Sequence, residues 1–214
     1  MNTKYLGWGT AFLDFDNDGW KDLVVANGHV CPEVDTGHTT EKYKQPRLLY
    51  WNRGDGQFFD LSAQGRPGIS NLHSSRGLAV GDLDNDGSEE VVISNMGEAP
   101  SLLKNFSSSG NSLLVRALTS GRDAIGARIT VTAGGHKQID EVRSGGSYIS
   151  QNDFRLHFAL GSASTADISI RWIDGKVETL KSVAAGQILT IEEGKGIVRK
   201  QPYTSSKNEV DGHA

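Results

Sequence analysis

The sequence GTAFLDFDNDG at residues 9–19 returns as GLAVGDLDNDG at residues 77–87, an offset of 68 residues. Each copy is followed by an apolar run that ends in asparagine, LVVAN at residues 23–27 and VVISN at residues 91–95. Self-similarity at a fixed spacing indicates a repeat architecture in which each unit is one small group of strands. Each unit has room for roughly four short strands, which is typical of the blades of a β-propeller.

The rest of the chain favours strands over helices. Short β-branched runs recur between clusters of Gly, Asn and Asp, whereas helical periodicity is nearly absent. We therefore predict an all-β protein, a partial β-propeller of about two blades followed by a small β-sandwich or barrel. The strands expected in the first part are 9–13, 22–26, 48–52, 57–61, 77–80, 91–95, 102–105 and 113–118. Those in the second part are 127–132, 137–143, 155–160, 168–173, 176–180 and 187–192.

The boundary between the two parts is set by a change of composition. The segment SSSG at residues 107–110 is followed by sequence without further acidic loops, and the turns at Gly134-Gly135 and Asp174-Gly175 supply the positive φ that tight hairpins need. We predict blades over residues 1–118, a sandwich over 119–196 and a flexible tail over 197–214. Residues 28–46 form a polar insertion between strands, either an ordered lid or a mobile loop.

The first acidic loop, DFDNDGWKD at residues 14–22, carries the strongest chemical signal. Carboxylates occupy loop positions 1, 3, 5 and 9, and a glycine at position 6 allows a tight turn. Calcium prefers six to eight oxygen ligands, and such a loop delivers alternate side chains and one backbone carbonyl to a single centre. We predict a Ca²⁺ site whose ligands are Asp14, Asp16, Asp18, Asp22 and the carbonyl of Trp20. Asx turns without an ion are the alternative.

The second acidic loop, DLDNDGSEE at residues 82–90, repeats the pattern and raises the prediction to about two Ca²⁺ ions. Its ligands would be Asp82, Asp84, Asp86, Ser88 through its carbonyl, and Glu90. The longer Glu90 replaces the closing aspartate, so this site is expected to be weaker or differently arranged. Position 12 of the first loop is Val25 within a predicted strand, which argues against an EF-hand. Because one loop fills the coordination sphere, a structural ion is favoured over a catalytic one.

Composition excludes several classes of protein. The 214 residues carry 22 basic and 26 acidic side chains without a basic stripe, so no nucleic-acid partner is expected. The single cysteine, Cys31, excludes an internal disulfide. The sequence lacks an apolar run of membrane-spanning length and an N-terminal hydrophobic signal region, so we expect neither a membrane span nor a signal peptide in this chain.

Several weaker signals also fit ordinary structural roles. Arg53-Gly54-Asp55 spells an adhesive tripeptide but also fits a turn between strands. His29, Cys31 and His38 could bind a soft metal, but their spacing fits a surface loop better. His136 and His157 are expected to pack in the core or at an edge. Packing between blades, or alternatively carbohydrate stacking, is expected of Trp8, Trp20, Tyr50, Trp51, Phe58 and Phe59.

These motifs resemble two known families. Residues 7–118 resemble FG-GAP/VCBS repeats, which are integrin α-propeller-like blades with Ca²⁺ loops, through residues 14–22, 82–90 and 52–60. The segments RDAIGARITV at 122–131, EVRSGGSY at 141–148 and LHFALG at 156–161 resemble the ASPIC/UnbV domain. The pairing, in this order, is similar to the C-terminal part of bacterial cartilage-acidic-protein-like proteins.

The resemblance implies a non-enzymatic, calcium-binding module that is extracellular, cell-surface or periplasmic and acts in protein binding or cell adhesion. Its Ca²⁺-stabilised blades would present loops to a protein or glycan partner. Two blades cannot close a ring, so open propeller edges could also support self-association. An accessory role in a biosynthetic or hydrolytic enzyme, with Arg143, Tyr148 and His157 as candidates, and a carbohydrate-binding module remain as alternatives.

Overall fold

The structure, a computed structural model, describes residues 4–37, 40–106 and 110–204. Within these ranges the chain forms sixteen β-strands in four sheets. Helical structure in the described residues is limited to a 3-10 turn at Pro32–Thr36 and the four-residue helix α1 at Pro67–Ser70. The all-β prediction is confirmed. No helix in the described parts of the chain is long and apolar enough to cross a membrane.

The first sheet is an antiparallel meander of the kind expected for a propeller blade. Its strands, in spatial order, are β1 (Gly7–Leu13), β2 (Asp22–Asn27), β3 (Leu48–Asn52) and β4 (Phe58–Asp60). The first acidic loop connects β1 to β2, because Leu13 pairs with Asp22. The insertion that follows β2 contains the 3-10 turn and returns the chain to β3 beside β2.

The second sheet repeats this arrangement with three strands. They are β5 (Ser75–Gly81), β6 (Glu90–Asn95) and β7 (Ser101–Leu103), and the second acidic loop connects β5 to β6. The two sheets pack through one apolar cluster, to which the first contributes Ala11, Leu13, Val24 and Ala26 and the second Leu78, Val80, Val91 and Ile93. The partial propeller of about two blades is therefore confirmed.

The remaining strands form a β-sandwich. One sheet has the order β11 (His136–Glu141), β10 (Arg128–Ala133), β13 (Thr165–Arg171), β14 (Val177–Ala184). The other has the order β12 (Leu156–Gly161), β8 (Asn111–Thr119), β15 (Gln187–Glu192), β16 (Gly196–Pro202), and the short β9 (Arg122–Asp123) pairs with β8. Both sheets contribute to one buried cluster that includes Val115, Phe158, Leu189, Ile129 and Ile168.

Strand β8 corrects the assignment of residues 113–118 to the first part of the chain. The strand exists where it was predicted, but it lies in the middle of a sandwich sheet, antiparallel to β12 and parallel to β15. Its inward residues Leu113, Val115 and Ala117 are buried in the sandwich core. The sequence pattern identifies a buried strand but not the sheet that it joins, because the blades and the sandwich each offer an apolar surface. We propose that the sandwich begins at β8.

The tail prediction is wrong for residues 197–204. Strand β16 pairs with β15 from Gln187↔Pro202 to Glu192↔Gly196, and Tyr203 and Thr204 contact the second acidic loop. The polar sequence of these residues led to the prediction of a tail. Strand β16 is an edge strand, however, where exposed polar side chains are common and the backbone hydrogen bonds hold the strand. Residues 205–214 lie outside the described residues.

Candidate metal-binding loops

The two acidic loops have the same backbone course. At loop position 4, Asn17 and Asn85 adopt positive φ values of 58° and 62°, and at position 6, Gly19 and Gly87 adopt 96° and 89°. Asparagine and glycine are the residues that tolerate the left-handed region best. The pattern Asn-x-Gly is therefore the local cause of the tight turn in both copies.

The carboxylates at the ends of the first loop organise its backbone. Asp14 Oδ2 accepts the N–H of Gly19 at 2.8 Å, and Asp22 Oδ2 accepts the N–H of Phe15 at 3.1 Å. Asp22 Oδ1 also accepts the N–H of Asn52 on β3 at 2.8 Å. A carboxylate oxygen has a second lone pair, so these bonds orient the groups and leave them able to coordinate an ion.

The first loop concentrates negative charge away from water. Asp14 and Asp22 are 1% and 0% exposed. Burial raises the pKa of each carboxyl group to about 7, and neighbouring loop carboxylates act in the same direction. Lys21 lowers the pKa of Asp14 only through space, and no lysine or arginine of the described residues forms a salt bridge with Asp14 or Asp22. A cation at this point would remove an electrostatic penalty.

The structure brings three of the predicted ligands of the first loop together. Asp14, Asp16 and Asp22 each offer a carboxylate oxygen within 4.8 Å of the others, a spacing that one cation could bridge. Asp18 is not part of this group, and its Oδ1 accepts the N–H of Trp20 at 2.7 Å. The Trp20 side chain packs on His136, with ring centroids 4.4 Å apart. The donor set, all hard oxygen, suits Ca²⁺.

The second loop has a different charge arrangement. Asp82, Asp84 and Asp86 offer oxygens within 4.8 Å of one another, whereas the predicted ligand Glu90 is outside this group. Lys104, which sequence reasoning missed, donates from its Nζ to Asp84 and, at 2.9 Å, to Asp86 Oδ2. Its Nζ is also 3.4 Å from Glu90 Oε1. The last predicted ligand, Ser88, is buried and its N–H donates to Asp86 at 2.9 Å.

Both loops contact the sandwich. Glu89 Oε2 of the second loop accepts the N–H of Asp14 at 3.2 Å and is 3.7 Å from Lys21 Nζ. Lys21 Nζ donates to the carbonyl of His157 on β12 at 3.2 Å. His157 is 2% exposed, and its Nε2 hydrogen-bonds to the Gly87 carbonyl at 3.1 Å, so this nitrogen carries the proton. Burial lowers the pKa of His157 and so favours the neutral ring.

Two further sandwich residues reach into the second loop. Arg155, directly before β12, donates to the carbonyl of Asp82 at 2.6 Å and to Asn85 Oδ1 at 2.5 Å. Thr204, after β16, donates from its hydroxyl to the carbonyl of Asp84 at 2.7 Å. We refer to the contacts of Lys21, Glu89, His157, Arg155 and Thr204 as the joint. Sequence spacing gave no signal for the joint, because its members are far apart in the chain.

A cleft of about 490 Å³ opens above the joint and tests the enzymatic alternative. Arg143 and His157 line it, together with Lys21, Glu89 and Asp140. Arg143 is paired with Asp140 at 2.8 Å, and Tyr148 is not among the lining residues but packs on Trp8 with ring centroids 4.8 Å apart. The three candidate catalytic residues therefore do not form one group. His157 and Glu89 serve in the joint instead.

The weaker candidates occupy turns and loops. Arg53 and Asp55 form an ion pair with each other in the turn between β3 and β4, and Gly54 and Gly56 have positive φ. His29 Nδ1 accepts the N–H of Cys31 at 3.1 Å in the insertion, while His38 lies outside the described residues. The predicted β3–β4 turn is thus present.

Comparison with known families agrees with the order of the two parts. Residues 14–93 match the family model of the FG-GAP-like repeat, and residues 117–198 match the family model of ASPIC and UnbV. The chain therefore matches an FG-GAP-like repeat first and an ASPIC and UnbV region after it. The family resemblance inferred from the sequence is confirmed.

Two curated proteins are similar to this chain, both described as cartilage acidic protein 1. The protein from Xenopus tropicalis is 30% identical over 135 residues, which is 58% of this chain and 20% of the relative. The human protein is 24% identical over 193 residues, 84% of this chain and 27% of the relative. The chain thus spans only about a fifth to a quarter of these relatives.

One solved structure is also similar to this chain over most of the length of both proteins. It is a protein from Bacteroides ovatus, provisionally described as a cell adhesion protein, with 10% identity and a TM-score of 0.25. The match covers 96% of this chain and 90% of that protein. A score of this size carries no conclusion about fold or function.

Proposed function

We propose that this chain is a calcium-stabilised, non-enzymatic interaction module of an extracellular, cell-surface or periplasmic protein. The observation that carries the proposal is the convergence of Asp14, Asp16 and Asp22 within 4.8 Å, with Asp14 and Asp22 buried and unpaired with any lysine or arginine of the described chain. The FG-GAP-like repeat match and the relatives named for cartilage support the placement outside the cytoplasm.

In this proposal, the ion acts on the joint between blades and sandwich. The N–H of Asp14 donates to Glu89, and the neighbouring Lys21 donates to β12 of the sandwich, so the first loop is fixed at both sides. An ion at Asp14, Asp16 and Asp22 would fix the same loop from within. The chain's own residues then hold the two parts in one orientation, which preorganises the surface offered to a partner.

Calcium titration of the metal-stripped protein tests the proposal. We expect binding with a Kd of about 10⁻⁴ to 10⁻³ M, in the range of extracellular modules. At a hundredfold excess over Kd, one site stabilises the folded state by about 2.7 kcal/mol. Asp16→Asn should remove this stabilisation, whereas the matched exposed change Asp55→Asn should retain it. A folded protein that shows neither heat of binding nor a thermal shift would contradict the proposal.

The partner is proposed to be a protein or a glycan, with self-association as a further route. Strand β4 lies at the end of its sheet, and Phe58, Phe59 and Asp60 are all exposed. An unpaired strand edge with aromatic side chains suits strand addition by a second chain. Light scattering as a function of concentration measures self-association, and an Asp60→Pro substitution, which removes a backbone donor, should weaken it if β4 is the edge used.

A further inference from the structure

The repeat places Lys104 and Trp51 at equivalent positions. Leu23 on β2 pairs with Tyr50 on β3, and Val91, which is 68 residues after Leu23, pairs with Leu103 on β7. The next residue along the chain is Trp51, within β3, in one copy and Lys104, directly after β7, in the other. Each of these side chains therefore reaches the acidic loop of its own sheet from the same side.

The two side chains contact equivalent carboxylates but carry different charge. Trp51 donates its neutral indole N–H to Asp16 Oδ2 at 3.0 Å. Lys104 donates its ammonium to Asp84, the counterpart of Asp16 in the repeat. An indole satisfies one oxygen and leaves the loop's negative charge unchanged, whereas an ammonium neutralises part of it.

Lys104 lies next to three carboxylates of the second loop. Besides its hydrogen bond to Asp84, its Nζ donates to Asp86 Oδ2 at 2.9 Å and is 3.4 Å from Glu90 Oε1. An ammonium has three N–H donors, and here three carboxylates surround it. A divalent cation bound by the same oxygens would lie within a few ångströms of this charge, where repulsion is strong in a partly buried site.

Burial raises the pKa of Asp82 and Glu90 in the second loop, as it does for the buried carboxyl groups of the first, but Asp86 behaves differently. Burial pushes the pKa of Asp86 upward, but hydrogen bonds from Lys104 and Ser88 bring it below its usual value. In the first loop, burial raises the pKa of Asp14 and Asp22 to about 7. Asp84 and Asp86 thus bond directly to an ammonium, whereas Lys21 acts on Asp14 only through space.

We propose that Lys104 is the permanent cation of the second loop, so that this loop is held by the chain's own ammonium and does not take a divalent ion. The inference departs from the sequence prediction of about two ions. It shares with the proposed function only the expectation that the first loop binds Ca²⁺. The second blade and its contacts with Arg155 and Thr204 would then persist when calcium is absent.

Removal of the ammonium is the direct test. Metal-stripped Lys104→Ala should melt at a lower temperature than the wild type, and millimolar Ca²⁺ should restore it by entering the vacated space, so that the variant binds one more ion per chain than the wild type. Lys104→Arg keeps a cation and should bind the same number of ions as the wild type. The exposed change Lys176→Ala is the matched control. A Lys104→Ala variant with unaltered ion count and unaltered melting would overturn the inference.

A second pair of variants keeps the test decisive if Lys104→Ala does not fold. Asp16→Asn and Asp84→Asn change equivalent residues, and each is read by calcium calorimetry. We expect Asp16→Asn to weaken Ca²⁺ binding at least roughly tenfold, because even the loss of a residue that only supports a ligand lowers metal affinity by about this factor. Asp84→Asn should leave Ca²⁺ binding unchanged. Loss of one of two ions in Asp84→Asn would overturn the role of Lys104 and keep the proposed function. A wild type without any ion would overturn the proposed function, and the gain of one ion in Lys104→Ala would still support this inference.

Discussion

The ionisation of single carboxyl groups determines how the first loop responds to calcium. Asp14 and Asp22 are buried next to other carboxylates, and burial is the main reason that their pKa rises to about 7. In the unfolded chain, an aspartate has a pKa of about 3.9. Without an ion, the folded protein therefore retains protons at these residues that the unfolded chain releases.

The stability of the metal-stripped protein should fall as the pH rises from about 4 to about 7. In this window the folded state binds more protons than the unfolded state, so the free energy of unfolding decreases with pH. Calcium should reduce the slope because it favours the ionised carboxylates. Urea unfolding at pH 5 and pH 7.5, with and without Ca²⁺, measures the effect. Asp22→Asn removes one titrating group and serves as the control; an equal slope in this variant and the wild type would contradict the assignment.

Two glycines in the β3–β4 turn allow the cost of backbone strain to be distinguished from the cost of overpacking. Gly54 and Gly56 both have positive φ, 83° and 84°. A Cβ on Gly54 would lie 2.6 Å from Trp20 Nε1, whereas a Cβ on Gly56 would meet nothing within 4 Å. Gly54 is therefore required both for the turn and for the position of Trp20 against His136.

We expect Gly54→Ala to destabilise the fold more than Gly56→Ala. Both substitutions carry the backbone penalty of a left-handed residue, about 1 kcal/mol. Gly54→Ala adds overpacking against Trp20, about 1–3 kcal/mol. Chemical denaturation of the two variants gives the difference directly. Equal losses would mean that Trp20 moves aside without cost.

Strand β16 shows how an element can hold a distant loop. It covers the edge of β15, and the chain then places the Tyr203 ring against Gly87, where a Cβ on the glycine would lie 2.6 Å from the ring. The Tyr203 hydroxyl accepts a hydrogen bond from Ser112 Oγ at 3.1 Å. Tyr203, directly after β16, thus packs against the turn of the second acidic loop.

Truncation of the Tyr203 side chain should loosen this element. Tyr203→Ala removes a half-buried aromatic ring and should cost about 2 kcal/mol, below the range for fully buried aromatic residues. Tyr203→Phe keeps the ring and should cost only about 1 kcal/mol, the contribution of one hydrogen bond. Hydrogen exchange of the backbone amides of residues 82–90 measures whether the second acidic loop opens more often. Unchanged protection in Tyr203→Ala would show that β16 does not hold the loop.

Blades and sandwich form one unit through the joint. Arg155 bonds to Asp82 and Asn85 of the second loop and is paired with Asp153 beside it. Lys21 connects the first loop to β12, and Glu89 of the second loop accepts the N–H of Asp14 and is 3.6 Å from His157 Nδ1. Most of these groups are partly or fully buried, so the loss of one partner leaves others unsatisfied. The loops that resemble metal sites are thus also the contact surface between the two parts.

Unfolding of the whole protein should be cooperative and should depend on Arg155. With calcium present, we expect one thermal transition for the entire chain, since neither part can leave without exposing the joint. Arg155→Met should separate the transition into two, with the blades unfolding first. Arg199→Met changes an exposed arginine of β16 whose side chain hydrogen-bonds to Gln201 at 3.1 Å, and serves as the control. A single unaltered transition in Arg155→Met would show that the joint does not couple the parts.

Local structure in this protein follows from the order of neighbouring residues. The Asn-x-Gly turns, the alternation of carboxylates and the β-branched runs are properties of neighbouring residues, so the repeat, most strands and the candidate ligands Asp14, Asp16 and Asp22 could be read from the pattern. Which strands share a sheet, as for β8, and that β16 is a strand depend on long-range packing and became clear from the three-dimensional structure. The same holds for the contacts of Lys104, Arg155 and Tyr203 with the second loop. Such contacts join residues distant in the chain, and their energies depend on burial and on the surrounding charges, which no local spacing encodes.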